Sequence, residues 1–438
     1  MRLVPDIERG SAEEIEKFQE HQIRSLLNYA NEHSPFYKKL FSDNRIDIQS
    51  IQSLKDYRVI PTTSKDDLQQ NNWDFLCVPK GRIVEYTSTS GTMGTPVTVA
   101  LTESDLQRLA YNECISFTCA DGTPDDLYQL MLTLDRQFMA GMAYYEGIRK
   151  LGAGLIRVGP GLPAMQWEVI ERLKPTAVVA VPSFVIKLID FAKAQGIDLD
   201  KSSVTKVICI GESLRTQELG LNALSKRIIN GWNIKLYGTY ASTEMQTAFT
   251  ECGHGRGGHH HPELIYVELL DDHHQPVPEG APGEITVSTL GVEAMPLLRY
   301  KTGDMAIAYQ DRCACGRNTM RLGPVLGRKQ HMIKLKGTTI YPPGIFEVIH
   351  SVNHIQDYAV EASTGDLGTD HLKLYLLVKD GKVTESTSLL REAFQSKLRV
   401  IPEMSFISQS EMEKLQLINK GRKPKKFLDM RTGSSHES

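Results

Sequence analysis

The chain has 438 residues, 41% hydrophobic and 24% charged, with 50 basic against 53 acidic side chains, which suggests about two or three domains of an ordinary globular protein. A net charge of -3 excludes a strongly basic nucleic-acid binder as the default, and no run of about 18 uncharged apolar residues offers a transmembrane helix. Seven cysteines in so long a chain are not a disulfide framework, and an acidic N-terminus without an apolar signal core leads us to expect a cytoplasmic protein.

Residues 11–40 read as one amphipathic helix, opened by Ser11 with Glu14 at capping-box spacing. From residue 126 the pattern alternates. Apolar runs at 127–132, 154–158, 177–181 and 204–210 read as buried strands, and 167–173 and 184–194 as helices between them. Strand, helix, strand at this spacing predicts a parallel α/β sheet. After residue 262 short strands dominate, at 265–270, 283–288 and 306–309, punctuated by Pro and Gly turns. A smaller α/β unit follows Arg328, with a strand at 372–378 and a helix at 387–397. No internal repeat or low-complexity segment interrupts the chain.

The segment from Tyr86 to Pro96, YTSTSGTMGTP, has six Ser or Thr and two Gly among eleven residues. Glycine permits close backbone approach, consecutive amides form an anion nest, and hydroxyls add neutral donors. That is chemistry for a polyphosphate that binds, reacts and leaves. The bland alternative is a flexible linker. No Gly-Lys-Ser/Thr follows, so it is not a Walker loop.

TSTSGTMGTP resembles the phosphate loop of the adenylate-forming superfamily, the acyl-CoA synthetases and their relatives. The likeness continues in order. Gly211, Glu212 and Ser213 resemble the family's turn beside adenine, and YGTYASTE (237–244) its Tyr-Gly-x-Ser/Thr-Glu motif. RYKTGD (299–304) resembles its Tyr-Arg-Thr-Gly-Asp, and Gly327-Arg328 with KLKG (334–337) its interdomain segment. Length and the Cys-rich insert point to the phenylacetate–CoA ligase branch. The resemblance implies an α/β adenylate-forming fold: a large N-terminal domain over 1–327 with the ATP and acid site, and a small mobile domain over 328–438, hinged near Lys329 and Gln330.

It also implies roles. Ser90, Gly91, Thr92, Gly94 and Thr95 would hold the β- and γ-phosphates of ATP. Thr243 would donate to the α-phosphate, and Glu244 would hold Mg²⁺, which suits one carboxylate plus phosphate oxygens and waters. Gly211, Glu212, Ser213, Gly238, Thr239, Tyr240, Ala241 and Ser242 would line the adenine, and Asp304, with Arg328 following, the ribose. Counting back from Asp429 in the basic cluster KGRKPKK (420–426) gives Lys423 as the adenylation lysine, with Lys420 and Lys425 as rivals. Phe138, Ala140, Gly141 and Met142 would line the acid pocket, although helix packing explains such residues as well. The charged Asp135 and Arg136 nearby suit a polar or larger acid.

Cys252 and the histidines 254, 259, 260 and 261 are followed about 50 residues later by Cys313 and Cys315. Thiolate and imidazole ligands are the signature of structural zinc; reduced cysteines beside a His-rich loop are the alternative. Aligned with the family, His259 is favoured as the imidazole. Cys77, Cys114, Cys119 and Cys209 read as core.

The activity implied is ATP-dependent, AMP-forming ligation of an aromatic, phenylacetate-like acid to coenzyme A. Two rivals stand beside it. One passes the acyl group to a carrier-protein thiol. The other is a catalytically weak, zinc-stabilised nucleotide-binding protein, motivated by Thr95, Ala241 and Arg422 where relatives carry Lys, Gly and Gly. The expected partners are the acid and coenzyme A, with no nucleic acid or membrane, and a homodimer by resemblance.

Overall fold

The computed structural model describes residues 4–89, 97–335, 338–364, 370–416 and 425–431. Its contacts gather into a larger unit, Met1–Leu221 with Ser225–Thr302 and Ala306–Val325, and a smaller one, Asn222–Leu224 with Gly303–Met305 and Leu326–Ser438. The chain is therefore mixed α/β, with a large N-terminal domain and a smaller C-terminal one.

Helix α1 (Ala12–His33) opens with the expected capping box: Glu14 N donates to Ser11 Oγ, and Ser11 N to the Glu14 carboxylate. The single helix expected over 11–40 is instead two. Ser34 leaves helical geometry (φ -92°, ψ 119°) and caps α2 (Pro35–Asp43), with Pro35 in its first turn. Proline disfavours the α region for the residue before it, so Ser34 breaks the run. Together α1 and α2 bury Ile23, Leu27, Tyr37 and Phe41 in the main core. Short helix α3 (Lys65–Gln70) precedes the hairpin β1 (Glu85–Ser88) and β2 (Thr98–Leu101). Then α4 (Glu103–Cys119) is buried almost throughout from Arg108 onward.

The alternating stretch follows: β3 (Leu127–Leu130), α5 (Met139–Leu151), β4 (Gly154–Arg157), α6 (Pro163–Leu173), β5 (Ala177–Ala180), α7 (Pro182–Gln195), β6 (Lys206–Cys209), α8 (Ala223–Gly231) and β7 (Lys235–Ser242). Strands β5 and β6 are buried at every position, as a strand covered on both faces must be. Next come β8 (Thr247–Glu251), β9 (Gly258–His259), β10 (Ile265–Leu270), β11 (Gly283–Thr289), β12 (Tyr300–Ala306), β13 (Ala308–Tyr309) and β14 (Arg321–Leu322). Among the described residues the main sheet runs β13-β14-β9-β8-β7-β6-β5-β3-β4. Only β7, β6, β5, β3 and β4 pair in parallel; from β8 outward the pairing is antiparallel. The expected parallel sheet is one half of a mixed one. The expected strand at 306–309 is also divided, because Ala306 ends β12 and β13 starts at Ala308.

The smaller unit holds β15 (Gly327–Arg328), β16 (Ile333–Leu335), β17 (Thr338–Ile340), α9 (Pro342–His350), β18 (Ile355–Thr364), β19 (Asp370–Val378), α10 (Val383–Leu398), β20 (Glu403–Phe406), α11 (Gln409–Gln416) and β21 (Phe427–Asp429). Its sheet, β20-β19-β18-β21, encloses its own core with Ile345, Leu374, Leu390 and Phe394. Among the described residues no helix is long and apolar enough to cross a membrane.

Candidate functional site

The parallel strands β3, β5, β6 and β7 end on one edge of the larger unit. Open α/β sheets bind ligands outside such carboxyl ends. The ends of these strands and the segments leaving them carry three of the sequence-predicted groups. After β6 the chain turns at Gly211, whose φ of +73° only glycine adopts without strain. Glu212 then accepts from Ser183 N (2.8 Å) and Ser183 Oγ (2.8 Å). Its carboxylate thereby caps the first turn of α7, where orphan amides and the helix dipole favour an anion. Ser213 Oγ accepts from Arg215 N (3.3 Å) and steadies the exit.

Strand β7 bears the next group. Gly238 N donates to Glu251 Oε2 (3.1 Å), and a Cβ at Gly238 would lie 3.4 Å from that carboxyl carbon. Glu251 is buried and held by Arg215 through Nε (3.0 Å) and Nη2 (3.1 Å). Thr239 and Thr250 share a hydroxyl bond of 2.8 Å, and Tyr240 leans on Phe249. Ala241 is exposed, Ser242 Oγ accepts from Met245 N, and Thr243 and Glu244 stand half-buried in the turn to β8.

That turn is fixed from behind by Arg108. Its guanidinium donates to Leu290 O (2.7 Å), Gln246 O (2.8 Å), Thr247 Oγ1 (3.2 Å) and Leu264 O (2.5 Å). Burial lowers its pKa to about 10. Neither Arg108 nor the Arg215–Glu251 pair was foreseen from the sequence. A lone arginine between Leu106 and Leu109 was the available signal.

Beyond β3, Phe138 caps α5, and Ala140, Gly141 and Met142 occupy its first turn. A Cβ on Gly141 would meet Thr133 O at 2.3 Å, so only glycine lets α5 approach this loop. Phe138 and Ala140 pack on the cluster of Tyr128, Leu130 and Leu132. Ser88 N donates to Gln137 O (3.0 Å), which joins the end of β1 to the same loop. Thr89 and Val97 pair at the rim of that hairpin. Ser90, Gly91, Thr92, Gly94 and Thr95 lie outside the described residues, as do Lys420 and Lys423.

Cys252, His259, Cys313 and Cys315 converge. Their ligand atoms all lie within 4.8 Å of one another. Cys252 Sγ is 3.6 Å from Cys313 Sγ, and Cys315 Sγ is 3.5 Å from His259 Nε2. A tetrahedral zinc with bonds of about 2.3 Å to sulfur and about 2.0 Å to nitrogen has edges of about 3.8 Å and about 3.5 Å. The donor set and spacing fit that ion. His259 Nδ1 meets Thr319 Oγ1 at 3.3 Å, leaving Nε2 for the cluster. The other histidines near it are engaged or outside the set. His260 bonds Ile265 O (2.6 Å), and burial pushes its pKa down to about 4. His261 donates to Glu8 (2.5 Å). Cys119 packs against Cys252 and Cys313 but donates to Thr250 O (3.3 Å), with its thiol pushed up by burial. Cys77, Cys114 and Cys209 are buried, as expected of core.

In RYKTGD, Arg299 is structural: it is buried and forks onto Glu268 at 2.9 and 3.1 Å. Within the smaller unit Asp304 pairs in register with Arg328, their charges 3.7 Å apart, and Gly303 has φ +78°. Lys425 N donates to Gln416 O (3.4 Å), and β21 runs parallel to β18.

The sequence pattern of the AMP-binding enzyme family matches residues 51–294. Among curated proteins, a phenylacetate-coenzyme A ligase of Thermus thermophilus is 28% identical over 81% of this chain and 79% of its own. One of Escherichia coli is 27% identical over 86% of each. Among solved structures, a 2-hydroxyisobutyryl-CoA ligase in the postadenylation state superposes with a TM-score of 0.85 at 21% identity, covering 97% of this chain and 91% of that one. The fold expected from the motifs is the fold found.

Proposed function

This chain belongs to the AMP-binding enzyme family, and we propose that it is an AMP-forming acid–thiol ligase joining an aromatic carboxylic acid to coenzyme A. The observation that carries this reading is the convergence of the 131–142, 183, 211–213 and 239–244 segments at the carboxyl ends of one parallel sheet. It is supported by relatives that are phenylacetate-coenzyme A ligases. ATP and coenzyme A are the substrates this family implies.

In the first half-reaction a carboxylate oxygen attacks the α-phosphorus of ATP and pyrophosphate leaves. In the second, the coenzyme A thiol attacks the acyl carbonyl and AMP leaves. Charge develops on phosphate and then on carbonyl oxygen, so fixed donors and cations are what accelerate both. Ser90, Gly91, Thr92, Gly94 and Thr95, outside the described residues, would hold the outer phosphates. Thr243 donates to the α-phosphate. Glu244 would hold Mg²⁺, which would supply neutralising charge to the phosphates. Glu212, Tyr240 and the β7 backbone wall the adenine, and Asp304 accepts from the ribose hydroxyls. Phe138, Ala140, Gly141 and Met142 shape the acid pocket. Lys423 comes from a mobile domain, 328–438, and withdraws for thiol entry. Cys252, His259, Cys313 and Cys315 would hold one zinc ion in a structural role. The enzyme is read as a cytoplasmic homodimer, which sedimentation of the purified protein checks.

Pyrophosphate exchange with a panel of acids, with and without coenzyme A, tests the activity. Aromatic acids drive exchange, and thioester appears only with coenzyme A. Exchange with no thioester would move the acceptor to a carrier-protein thiol, and no exchange with any acid would leave a nucleotide-binding protein. Metal analysis tests the zinc: we expect about one ion per chain. Its removal lowers thermal stability first and raises the ATP requirement second, because the metal ties the loop after Glu244 to residues 313–315.

A further inference from the structure

We propose that Glu8, in the N-terminal segment, is a positioning residue of the thiolate–imidazole centre and makes that segment and the metal mutually stabilising. The inference rests on the zinc reading above. Glu8 lies on a single 3-10 turn, Asp6–Arg9, yet its side chain is 0% exposed. One carboxylate oxygen takes His261 Nδ1 (2.5 Å), and the other takes Arg317 Nε (2.7 Å). Both partners sit beside ligands. His261 is two residues beyond His259, and Arg317 is two beyond Cys315. Arg317 also donates from Nη1 to Cys315 Sγ (3.6 Å) and from its own carbonyl accepts Cys313 N (3.2 Å).

The backbone reinforces the tie. Asn318 N donates to Glu8 O (2.7 Å), and Asn318 Nδ2 donates to Arg9 O and Gly10 O (3.0 Å each). One buried carboxylate therefore cross-links the His259 strand and the Cys313–Cys315 loop from a third, distant segment. A cavity of about 380 Å³, lined by Val4, Arg9, Cys119, Cys252, Cys315 and Arg317, adjoins it, so the same segment also forms one wall beside the ligand sulfurs.

Outer-shell groups orient metal ligands and sustain affinity. Arg317 is 4% exposed, and a buried guanidinium that loses its carboxylate is strongly destabilised in place. In Glu8→Gln the amide keeps the shape and loses the charge. Its NH₂ also faces a donor on one side, either His261 Nδ1 or Arg317 Nε. Arg317 then shifts and releases Cys315 Sγ. By linkage, whatever Glu8 contributes to metal retention, the metal returns to the segment.

The experiment uses the full-length, zinc-loaded protein. Zinc transfer to excess chromogenic chelator is timed for wild type and Glu8→Gln, both starting at the same zinc content. Release from the variant is expected to be about 10–100-fold faster. In parallel, hydrogen exchange of wild type with and without zinc should show residues 4–10 losing protection on zinc removal, while residues 372–378 keep theirs. This second measurement stands even if the variant folds poorly. Equal release rates, or unchanged exchange at residues 4–10, overturns the proposal and marks Glu8 as an N-terminal anchor alone. Wild type that holds no zinc overturns the metal reading itself, and with it this inference.

Discussion

Glu113 is a buried carboxyl that the proposed reaction does not use. It lies on α4, 5% exposed, against Gly147 of α5, and Asn112 Nδ2 donates to its Oε1 (3.0 Å). Burial pushes its pKa up to about 8, against a smaller opposing effect of the Asn112 bond. The sign of the stability effect follows. In the unfolded chain the group ionises near pH 4.5, while the folded protein keeps its proton until about pH 8. The folded state then binds the extra proton, so stability is full below the unfolded pKa and falls as pH rises to the folded one. Glu113→Gln keeps an acceptor for Asn112 without the ionisation. We expect its melting temperature to match wild type near pH 4.5 and to exceed it progressively up to pH 8. Calorimetry across that range decides, and parallel curves would mean the carboxyl is already charged in the fold.

At the level of elements, the legible features were those with local causes. Apolar runs gave the buried strands, because a strand covered on both faces leaves no polar positions. Ser11 and Glu14 gave the helix start, and thiol chemistry together with the family likeness pointed to the cluster of Cys252, His259, Cys313 and Cys315. Features whose partners are far apart in sequence were not legible. Arg108 meets Leu290, Gln246 and Leu264 only after folding, and Glu8 meets Arg317 across 309 residues of chain. The break at Ser34 was legible in Pro35 but was outweighed by the amphipathic period on either side. Strand β12 was hidden because its KTGD residues are half-buried and polar. Arg108 offers the test at this scale. Its fork satisfies carbonyls from three segments, and a lysine ammonium cannot reach them all. We expect Arg108→Lys to cost about 3 kcal/mol, since buried carbonyls lose their donors, and to raise KM for ATP more than it lowers kcat. Denaturant unfolding and exchange rates against ATP concentration read the two effects. Lost stability with unchanged KM would restrict Arg108 to packing.

For the whole molecule, the proposed mechanism asks a separately folded unit to carry one cation. The smaller unit has its own sheet and core, so it can move as a body without unfolding. The chain around the proposed lysine is anchored within that unit. Lys425 N bonds Gln416 O (3.4 Å), β21 pairs with β18, and Asp429 is gripped by Arg431 at 2.6 and 2.8 Å. Arg431 also donates to Gln330 O (3.0 Å) and Met332 O (2.6 Å), so the segment beside the expected hinge belongs to the same rigid group. On the proposed mechanism Lys423, which lies outside the described residues, would be delivered by this unit. A compact ammonium helps only where new negative charge gathers, which is the phosphate of the first half-reaction. In the second, the proposed domain movement withdraws this lysine, so the thiol step relies on other donors. We expect Lys423→Ala to lower acid-dependent pyrophosphate exchange by about 100-fold or more, while thioester formation from supplied acyl-adenylate and coenzyme A stays within about threefold of wild type. Lys420→Ala and Lys425→Ala, assayed alongside, should change neither half so steeply. An equal loss in both halves for Lys423→Ala would assign that residue to folding or docking. A steep loss at Lys420 or Lys425 instead would move the role along the same loop.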